Sequence, residues 1–551
     1  MIGRFLCTLL AAAAFLAQPV GSAEAPRSLE ETLAGLIRCF PLEQPALEKQ
    51  EFILRQEELC LSRIYSATGM KPFWVKLTGP TRRADSILEV LEQAANEGLE
   101  PDDYNVQSIR QLWQDKSADS LAELDIQLTF NLVKYIHDIT RGRLKPYEVS
   151  PELFAEAGDS GFDPLAAVEQ VLAAEDTGVY LRQLAPTHNY YQGLRKALNH
   201  YQTLGRQHDW PTISAGKLIR PAERDERLTL IRQRLAYHQT LLPAESGPGF
   251  YDPSLQPVVE SFQARFGLEI DGIIGPETLF AMNLTPADLA RTISLNMTRW
   301  RWQSTDLGKR YIMVNIANYD LKAVEKGQIM LDMAVIVGQS SHQTPVFSDR
   351  IRYLDFNPFW NVPPSIAKNE ELPQLRKNPS HLVERHIRLF SNWQADSVEL
   401  DSTAIDWQQI NRRLMGRYKL RQDPGPWNAL GRVKFVFPNK YDVYLHDTSS
   451  HDLFEQTKRG FSHGCIRVSN PLALAEFALT GEDPDWNRER INEIIADPTR
   501  RVIRLHRPLP VHITYQTAWL DKQSRIHFNR DIYGRDEKLA RILLGDESKE
   551  Q

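Results

Sequence analysis

The sequence predicts a multidomain α+β protein with a helical N-terminal scaffold, a small three-helix module, and a β-sandwich-like domain that carries a helical insertion. A chain of 551 residues is too long for one ordinary domain. The N-terminal part repeats apolar residues at helical spacing, as at Ile87, Leu88 and Leu91. From Arg310 onward the pattern changes to short runs rich in β-branched and aromatic residues, which favours strands.

The composition is that of a soluble globular protein. Hydrophobic residues make up 42% of the chain and charged residues 25%. The formal net charge of −6 provides no general cationic surface. This charge balance argues against a nucleic-acid-binding protein.

Residues 1–23 are predicted to be a secretory signal peptide. Arg4 supplies the positive end, Phe5–Ala17 an apolar core too short to span a bilayer, and Gly21–Ala23 a cleavage site of small residues. A retained membrane anchor and a lipoprotein signal at Cys7 are the alternatives, although Cys7 lies at the start of the apolar core. No later segment approaches the length of a membrane span, so we expect an exported mature protein without one.

The rest of the chain divides into four predicted parts. They are a helical scaffold at 24–210, a three-helix module at 217–285, a β domain at 308–510 and a C-terminal extension at 511–551. Within the β domain, residues from about 364 to 426 return to a polar helical pattern, with helices predicted at Ile366–Lys377, Ser380–Glu384 and Ala404–Met415. We expect this insertion to act as a lid over a site, the alternative being a surface decoration.

The cysteines that follow the predicted signal are Cys39, Cys60 and Cys465. In an oxidising compartment two of the three are expected to pair, and Cys39 and Cys60 lie close together on either side of a helical run. Cys465 is then an odd free thiol, which is a liability in an exported protein unless it is used. The alternative for Cys465 alone is an inert buried cysteine.

A histidine at the end of a predicted strand is followed by a cysteine in a tight turn. The strand Tyr441–His446 holds His446 on a stiff element, and the run Ser462-His463-Gly464-Cys465 comes after it. A thiol nucleophile needs a base within hydrogen-bond reach, and a histidine is the usual one. The glycine before the cysteine allows backbone N–H groups to point toward a forming oxyanion. The pattern therefore predicts nucleophilic catalysis by Cys465.

The spacing also carries a family resemblance. His446, fifteen intervening residues, and Ser462-His463-Gly464-Cys465-Ile466 together resemble the active-site motif of L,D-transpeptidases with a YkuD-type catalytic domain. Arg467 departs from this motif, in which asparagine is common at that position. The resemblance implies that Cys465 forms a thioester with a peptidoglycan tetrapeptide stem and passes the acyl group to a second diamino acid, giving a 3→3 cross-link, with His446 as the base.

The same resemblance implies a periplasmic enzyme of cell-wall biogenesis and cell shape, and thioester formation with carbapenem-type β-lactams. Phe262-Gln263 with Asp271–Thr278 is similar to three-helix peptidoglycan-binding modules, which implies glycan binding unless the module is purely structural. Tyr65–Trp74, Asn357–Pro364 and the C-terminal extension resemble a large L,D-transpeptidase subgroup with a scaffold domain and a capping subdomain. Peptidoglycan is the expected partner, and other wall-synthesis proteins are further candidates.

Residues beside the motif are candidates for shaping the site. The N–H groups of Gly464 and Cys465 are the predicted oxyanion hole, while Ser462 and His463 shape the turn. His463 is the competitor of His446 for the role of base. A zinc site of His446, His463 and Cys465 lacks a fourth-ligand motif, so no metal or other cofactor is predicted.

The substrate-binding candidates are Tyr444, Arg467, Asp447 and Trp360. Tyr444 shares a strand face with His446. For Arg467 three roles fit: holding a substrate carboxylate, lowering the pKa of Cys465, or an ordinary salt bridge. Asp447 is expected to orient His446 through either its backbone carbonyl or its carboxylate.

Three functions fit these residues. The first is a periplasmic L,D-transpeptidase. The second uses the same chemistry with water as acceptor, as an L,D-carboxypeptidase or amide hydrolase acting on peptidoglycan stems or wall-linked protein. The third, from another class, is a non-catalytic peptidoglycan-binding scaffold, against which the intact pair of Cys465 and His446 counts.

Overall fold

The computed structural model describes residues 28–38, 61–149, 161–238, 242–243, 247–303, 306–481, 483 and 485–544. The predicted signal peptide and the predicted disulfide partners Cys39 and Cys60 lie outside these residues, so both remain predictions. Within the described ranges, no helix is long and apolar enough to cross a membrane.

The N-terminal part is helical and is organised around one long helix, Ala118–Arg141. Its elements are α1 (Leu29–Arg38), β1 (Val75–Lys76), β2 (Gly79–Pro80), α2 (Arg82–Glu92), α3 (Val106–Leu112), α4 (Ala118–Arg141), α5 (Pro146–Val149), α6 (Pro164–Ala173), α7 (Thr177–Gln183) and α8 (Asn189–Gln207). The side chain of Ser117 caps the first turn of α4. The buried carboxylate of Asp125 on α4 accepts the backbone N–H of Trp74 at 2.6 Å and that of Phe73 at 3.0 Å. These bonds fasten the loop before β1 to the helical core.

A three-helix module follows, formed by α9 (Leu228–His238), α10 (Gln256–Arg265) and α11 (Pro276–Asn283). Gln263 on α10 is 1% exposed, and its Nε2 donates to Asp271 Oδ1 at 2.8 Å and to the Ile273 carbonyl at 3.0 Å. Its Oε1 accepts the Gly272 N–H at 2.9 Å, and Gly272 has a φ of +68° that favours glycine. The motif residues of this module therefore build its turn.

Helix α12 (Pro286–Trp302) leads out of the module and packs against α8. Thr285 and Asp288 form a capping box at its start. At its end the Trp302 indole donates to the Leu144 carbonyl at 2.8 Å. This helix thereby ties the N-terminal helices to the β domain that begins after it.

The β domain is one large sheet that closes on itself. The strands of this part of the chain are β3 (Arg310–Asn315), β4 (Asp320–Glu325), β5 (Gln328–Gly338), β6 (Phe347–Phe356), β7 (Trp360–Asn361), β8 (Ile387–Phe390), β9 (Glu399–Leu400), β10 (Lys419–Gln422), β11 (Val433–Val436), β12 (Leu445–His446), β13 (Gly460–Ser462), β14 (Ile466–Val468) and β15 (Arg501–Thr514). The nine-stranded sheet has the order β13-β5-β14-β12-β11-β6-β15-β3-β4, and β4 also pairs with β5. The predicted multidomain α+β class with a β-rich domain is confirmed, and closure of the sheet is what the structure adds.

The insertion, residues 364–426, shares a small core and a separate sheet with Trp360–Val362 just before it. Strands β7 to β10 form a four-stranded sheet in the order β7-β10-β8-β9. Its helices are the short α13 (Pro364–Ile366), α14 (Leu372–Leu375), α15 (His381–Glu384) and α16 (Arg412–Met415), with a π-helical turn at Ala367–Glu371. The buried side chains of this core include Trp360, Leu389, Trp407 and Leu420.

Two expectations for the insertion are corrected. The continuous helix predicted over Ala404–Met415 is wrong, because a 3-10 turn ends at Ala404 and the next helical turn is α16. The Trp407 indole donates to the Ser402 carbonyl and the Asn411 side chain caps α16, so local side-chain bonds replace a continuous helix. The strands of the insertion are absent from the purely helical prediction, since they are only two to four residues long and too short to display a periodic pattern.

The C-terminal part adds helices that pack against the large sheet. Its elements are α17 (Pro471–Thr480), α18 (Arg488–Ala496), β16 (Ala518–Leu520), β17 (Ile526–Phe528) and α19 (Arg535–Leu544). Just before α19, the Tyr533 hydroxyl donates to the Gly338 carbonyl at 2.5 Å and accepts the Thr344 N–H at 3.3 Å. The extension thus braces the loop that follows β5.

Candidate active site

His446 lies in the middle of the closed sheet, on the short strand β12. It is opposite Lys434 on the antiparallel strand β11 and opposite Arg467 on the parallel strand β14. Leu445, its neighbour in the chain, is fully buried in the core of the domain. Because side chains alternate along a strand, His446, Lys434 and Arg467 share the face opposite that core.

The same face carries Tyr444 and Cys465. Each lies two residues before a member of the row, Tyr444 before His446 and Cys465 before Arg467. The Tyr444 and His446 rings are 5.5 Å apart. The strand pairing therefore collects the predicted nucleophile, the predicted base, a tyrosine and two cationic residues on one surface.

The imidazole of His446 is held in one tautomer by its neighbour. Nδ1 lies 2.5 Å from the Asp447 carbonyl oxygen, which only accepts hydrogen bonds. The proton is therefore on Nδ1, and Nε2 keeps a lone pair that can take a proton from another group. Of the two ways we considered for Asp447 to orient His446, the structure has the backbone carbonyl.

The carboxylate of Asp447 has a separate role, which is to bond to the backbone around β12. Its oxygens accept the backbone N–H of Arg432 at 2.7 Å and of Thr448 at 2.7 Å. These bonds fix the loop that leaves β12, and thereby the carbonyl that orients the imidazole.

Electrostatics keep His446 uncharged. Burial, together with the positive charges of Arg467 and Lys434, lowers the pKa of His446 to about 3. The side chain is 4% exposed. At neutral pH the imidazole is thus a neutral acceptor.

The turn that presents Cys465 is held by Ser462. The Ser462 hydroxyl donates to the Cys465 carbonyl at 2.5 Å and accepts the Gly464 N–H at 3.1 Å. Gly464 has a φ of +110°, a conformation that side-chain-bearing residues rarely adopt. The Thr344 hydroxyl donates to the Gly464 carbonyl at 2.8 Å, which joins the turn to the loop braced by Tyr533.

This geometry corrects part of the predicted oxyanion hole. The Gly464 N–H points to the Ser462 hydroxyl, so it serves the turn instead of a reacting oxygen. The N–H of Cys465 is the member of the predicted pair that is left for that role.

Cys465 is a free, half-buried cysteine. Its Sγ lies 3.7 Å from the Asp442 carbonyl oxygen, and the backbone and side chain of Tyr444 lie beside the sulfur and help to lower the pKa of the thiol. Burial raises the pKa of the Cys465 thiol, opposed by Tyr444 and by the charge of Lys434. His446 is adjacent on the sheet but is not among the hydrogen-bond partners of the thiol in the described part of the chain.

Lys434 is a site residue that the sequence analysis missed. Its Nζ lies 3.5 Å from the centroid of the Tyr444 ring, a cation–π contact. Asp355, opposite it on β6, is engaged by Arg500 through two bonds of 2.8 Å. Burial lowers the pKa of Lys434, opposed first by Cys465. The one available signal was a lysine between the apolar residues Val433 and Phe435 of a central strand.

Arg467 lies beside the thiol and the imidazole, as its pairing with His446 requires. Burial lowers the pKa of its guanidinium, and the neighbouring Cys465 opposes that effect. Its Nε is buried without a hydrogen-bond partner among the described residues. Of the three roles considered for Arg467, the ordinary salt bridge has no support from these contacts.

His463 is turned toward the insertion. Its Nε2 lies 2.7 Å from Glu370 Oε1, on the π-helical turn of the insertion, and its ring is 5.0 Å from that of His342. A cavity of about 390 Å³ lies there, lined by Gln339, His342, Ser365, Asn369, Glu370 and His463. The competitor for the role of base thus has a partner of its own.

Trp360 is 8% exposed and packs in the core of the insertion, against which Tyr444 also packs. Its role in substrate binding stays a prediction. Within the described residues, no three His, Cys, Asp or Glu side chains group closely enough to hold a metal ion.

Comparison with known families follows the same division of the chain. Residues 309–495 match the family model of an "L,D-transpeptidase catalytic domain" (YkuD), residues 60–198 a "Scaffold domain", and residues 224–282 a "Putative peptidoglycan binding domain". A curated relative from Haemophilus influenzae, named "Putative L,D-transpeptidase", is 32% identical over 228 residues. That match covers 41% of this chain and 45% of the relative, so it spans less than half of the relative's length.

Solved structures of the same kind are distant. An L,D-transpeptidase from Xylanimonas cellulosilytica is 16% identical over 54% of this chain and 98% of its own, with a TM-score of 0.18. One from Stackebrandtia nassauensis is 14% identical over 55% and 96%, with a TM-score of 0.22. TM-scores this low do not establish a shared fold, so the assignment of the catalytic domain depends on the family models and the curated relative. On these grounds residues 309–495 are an L,D-transpeptidase catalytic domain of the YkuD type, and the regions before it match a scaffold domain and a peptidoglycan-binding domain.

Proposed function

We propose that this protein is a periplasmic L,D-transpeptidase that forms 3→3 cross-links in peptidoglycan through a thioester on Cys465. The observation that carries the proposal is the placement of Cys465 and His446 on one face of the sheet, with the His446 Nε2 left free by the bond from Nδ1 to Asp447. The peptidoglycan-binding match at 224–282 supports a polymeric wall substrate.

In the first half of the reaction, His446 Nε2 takes the proton of the Cys465 thiol as the sulfur attacks the amide carbonyl of the donor stem. A C–S bond forms, and the carbonyl becomes an oxyanion. The Cys465 N–H and the Tyr444 hydroxyl, both beside the sulfur, are the donors we assign to that oxyanion. The C–N bond then breaks, His446 returns its proton to the leaving amine, and a thioester remains.

In the second half, an acceptor amine attacks the thioester carbonyl. Its nitrogen forms the new amide bond, the C–S bond breaks, and His446 passes a proton from the amine to the departing sulfur. Because the pKa of His446 is lowered to about 3 and that of Cys465 is raised, the resting pair is a neutral imidazole and a thiol. Proton transfer therefore accompanies attack and does not precede it.

The test uses soluble muropeptides with tetrapeptide stems, incubated with the full chain and with Cys465→Ala, and analysed by mass spectrometry. The proposal predicts cross-linked dimers from the unsubstituted protein alone. Shortened monomers without dimers would instead support the hydrolase. Identical product profiles from both proteins would contradict either enzymatic function and leave the non-catalytic scaffold.

A further inference from the structure

The cavity between the insertion and the catalytic turn has no role in the steps above. Its walls come from two sides: His463 belongs to the turn that presents Cys465, while Ser365, Asn369 and Glu370 belong to the insertion. Gln339 and His342 complete it from the loop that packs against Gly464. The cavity is therefore bounded on one side by the turn that carries Cys465, and on the other by the insertion.

The side chains around this cavity are polar and one is a carboxylate. Glu370 Oε1 and His463 Nε2 are 2.7 Å apart, which is the length of a charge-assisted hydrogen bond. With Nε2 donating to Glu370, the Nδ1 of His463 carries a lone pair. His463 is thus a second imidazole with an acceptor nitrogen, separate from His446.

The proposed transfer reaction needs such a base. A side-chain amine of a diamino acid has a pKa of about 10.4, so at neutral pH it arrives as an ammonium ion. It must lose one proton before its nitrogen can attack, and a second after attack. His446 handles one proton in each half of the reaction, so the first proton of the acceptor has no assigned destination.

We propose that this cavity is the subsite for the acceptor, and that its Glu370–His463 pair binds the ammonium group of the incoming diamino acid and removes its first proton. The proton passes from the ammonium nitrogen to His463 Nδ1 and later to solvent. The neutral amine then attacks the thioester on Cys465, and its second proton leaves through His446. The inference rests on the proposed function, and it assigns the insertion a part in choosing an amine over water.

The experiment follows the fate of an isotope-labelled donor tetrapeptide in the presence of an unlabelled tripeptide acceptor that carries a free diamino acid. Release of the terminal amino acid reports acylation. The ratio of mixed dimer to labelled tripeptide reports the choice between amine and water. The full chain is compared with Glu370→Gln and with Glu384→Gln, an exposed glutamate of the insertion outside the cavity.

For Glu370→Gln we expect that about tenfold more acceptor is needed to reach the same ratio, as for the loss of one hydrogen bond to a charged group. The deficit should shrink near pH 10, where the acceptor amine loses its proton in solution. Glu384→Gln should match the unsubstituted protein. An unchanged ratio in Glu370→Gln, or an equal loss of acylation and dimer, overturns the inference. No release of the terminal residue by the unsubstituted protein overturns the proposed function itself.

Discussion

Two turns in this molecule use a polar side chain in the same way and differ in what lies beside them. In the three-helix module, the Gln263 amide bonds to both sides of the turn that contains Gly272. In the catalytic domain, the Ser462 hydroxyl does the same for the turn that contains Gly464. Both glycines have positive φ angles. Each motif therefore owes some of its residues to the folding of a turn.

The difference lies in unused bonding capacity. Around Gln263 the motif groups are bonded to one another, with Asp271 Oδ1 shared between Gln263 and the Ile273 N–H. Beside Ser462, the His446 Nε2 keeps its lone pair, and the Cys465 thiol has a long contact of 3.7 Å to the Asp442 carbonyl oxygen, with Tyr444 next to it. The residues that fold the module's turn are bonded to one another, whereas the pair we propose to react is oriented by neighbours and keeps the His446 Nε2 lone pair.

The largest effect that follows from this comparison is expected at His446. His446→Gln removes the free nitrogen while keeping a polar side chain, and we expect acylation of Cys465 to fall by about a thousandfold. The melting temperature should change little. A matched control is His208→Gln, an exposed histidine just after α8, which should leave the rate as it is. Acylation rates and thermal melts of the two variants check this, and an undiminished rate in His446→Gln would remove His446 as the base.

The opposite pattern is expected at Gln263. Gln263→Ala leaves buried groups of the turn without partners, which should lower the free energy of unfolding of the module by about 2–3 kcal/mol. Turnover of soluble muropeptides should be unaffected. Gln256→Ala, which loses a bond to Glu260 along the same helix, should cost about 0.5 kcal/mol or less. Urea unfolding with parallel rate measurements distinguishes these outcomes, and a loss of turnover without a loss of stability would contradict the structural role of Gln263.

A smaller effect is expected at Lys434. Burial raises the pKa of Cys465. The rate of alkylation by iodoacetamide should therefore keep rising at pH values above the usual pKa range of a cysteine. The charge of Lys434 lowers the pKa of Cys465, so Lys434→Met should shift the alkylation midpoint to higher pH. Lys434→Arg keeps the charge and should move it less. A midpoint that shifts downward, or that stays in place in Lys434→Met, would show that the ammonium does not stabilise the thiolate.

The sequence was most informative where a few neighbouring residues determine the outcome. His446 at the end of a strand, the turn at Ser462–Cys465 and the glycine at 464 all follow from local pattern, and the structure has them in place. The module motif is equally local. In both cases the residue types alone dictate the backbone conformation.

What the sequence did not reveal depends on contacts between distant residues. Lys434 reaches the site through strand pairing, Glu370 through the fold of the insertion, and Tyr533 through a bond to Gly338 nearly two hundred residues away. The hydrogen bond from the Gly464 N–H to the Ser462 hydroxyl was also not predicted. The reason is local, since the Ser462 side chain could turn in either of two directions. The spacing of apolar residues shows which face of one helix or strand is buried, but it does not show which elements pack together.

The most direct test of the account is to locate the acyl group. The full chain is incubated with a disaccharide tetrapeptide donor in the absence of acceptor, quenched in acid, digested and mapped by mass spectrometry. We predict that the peptide containing Cys465 gains the mass of the donor without its terminal amino acid, and that Cys465→Ala shows no such gain. Release of the terminal amino acid without any adduct on Cys465, or an adduct that persists in Cys465→Ala, would contradict the assignment of this thiol as the nucleophile.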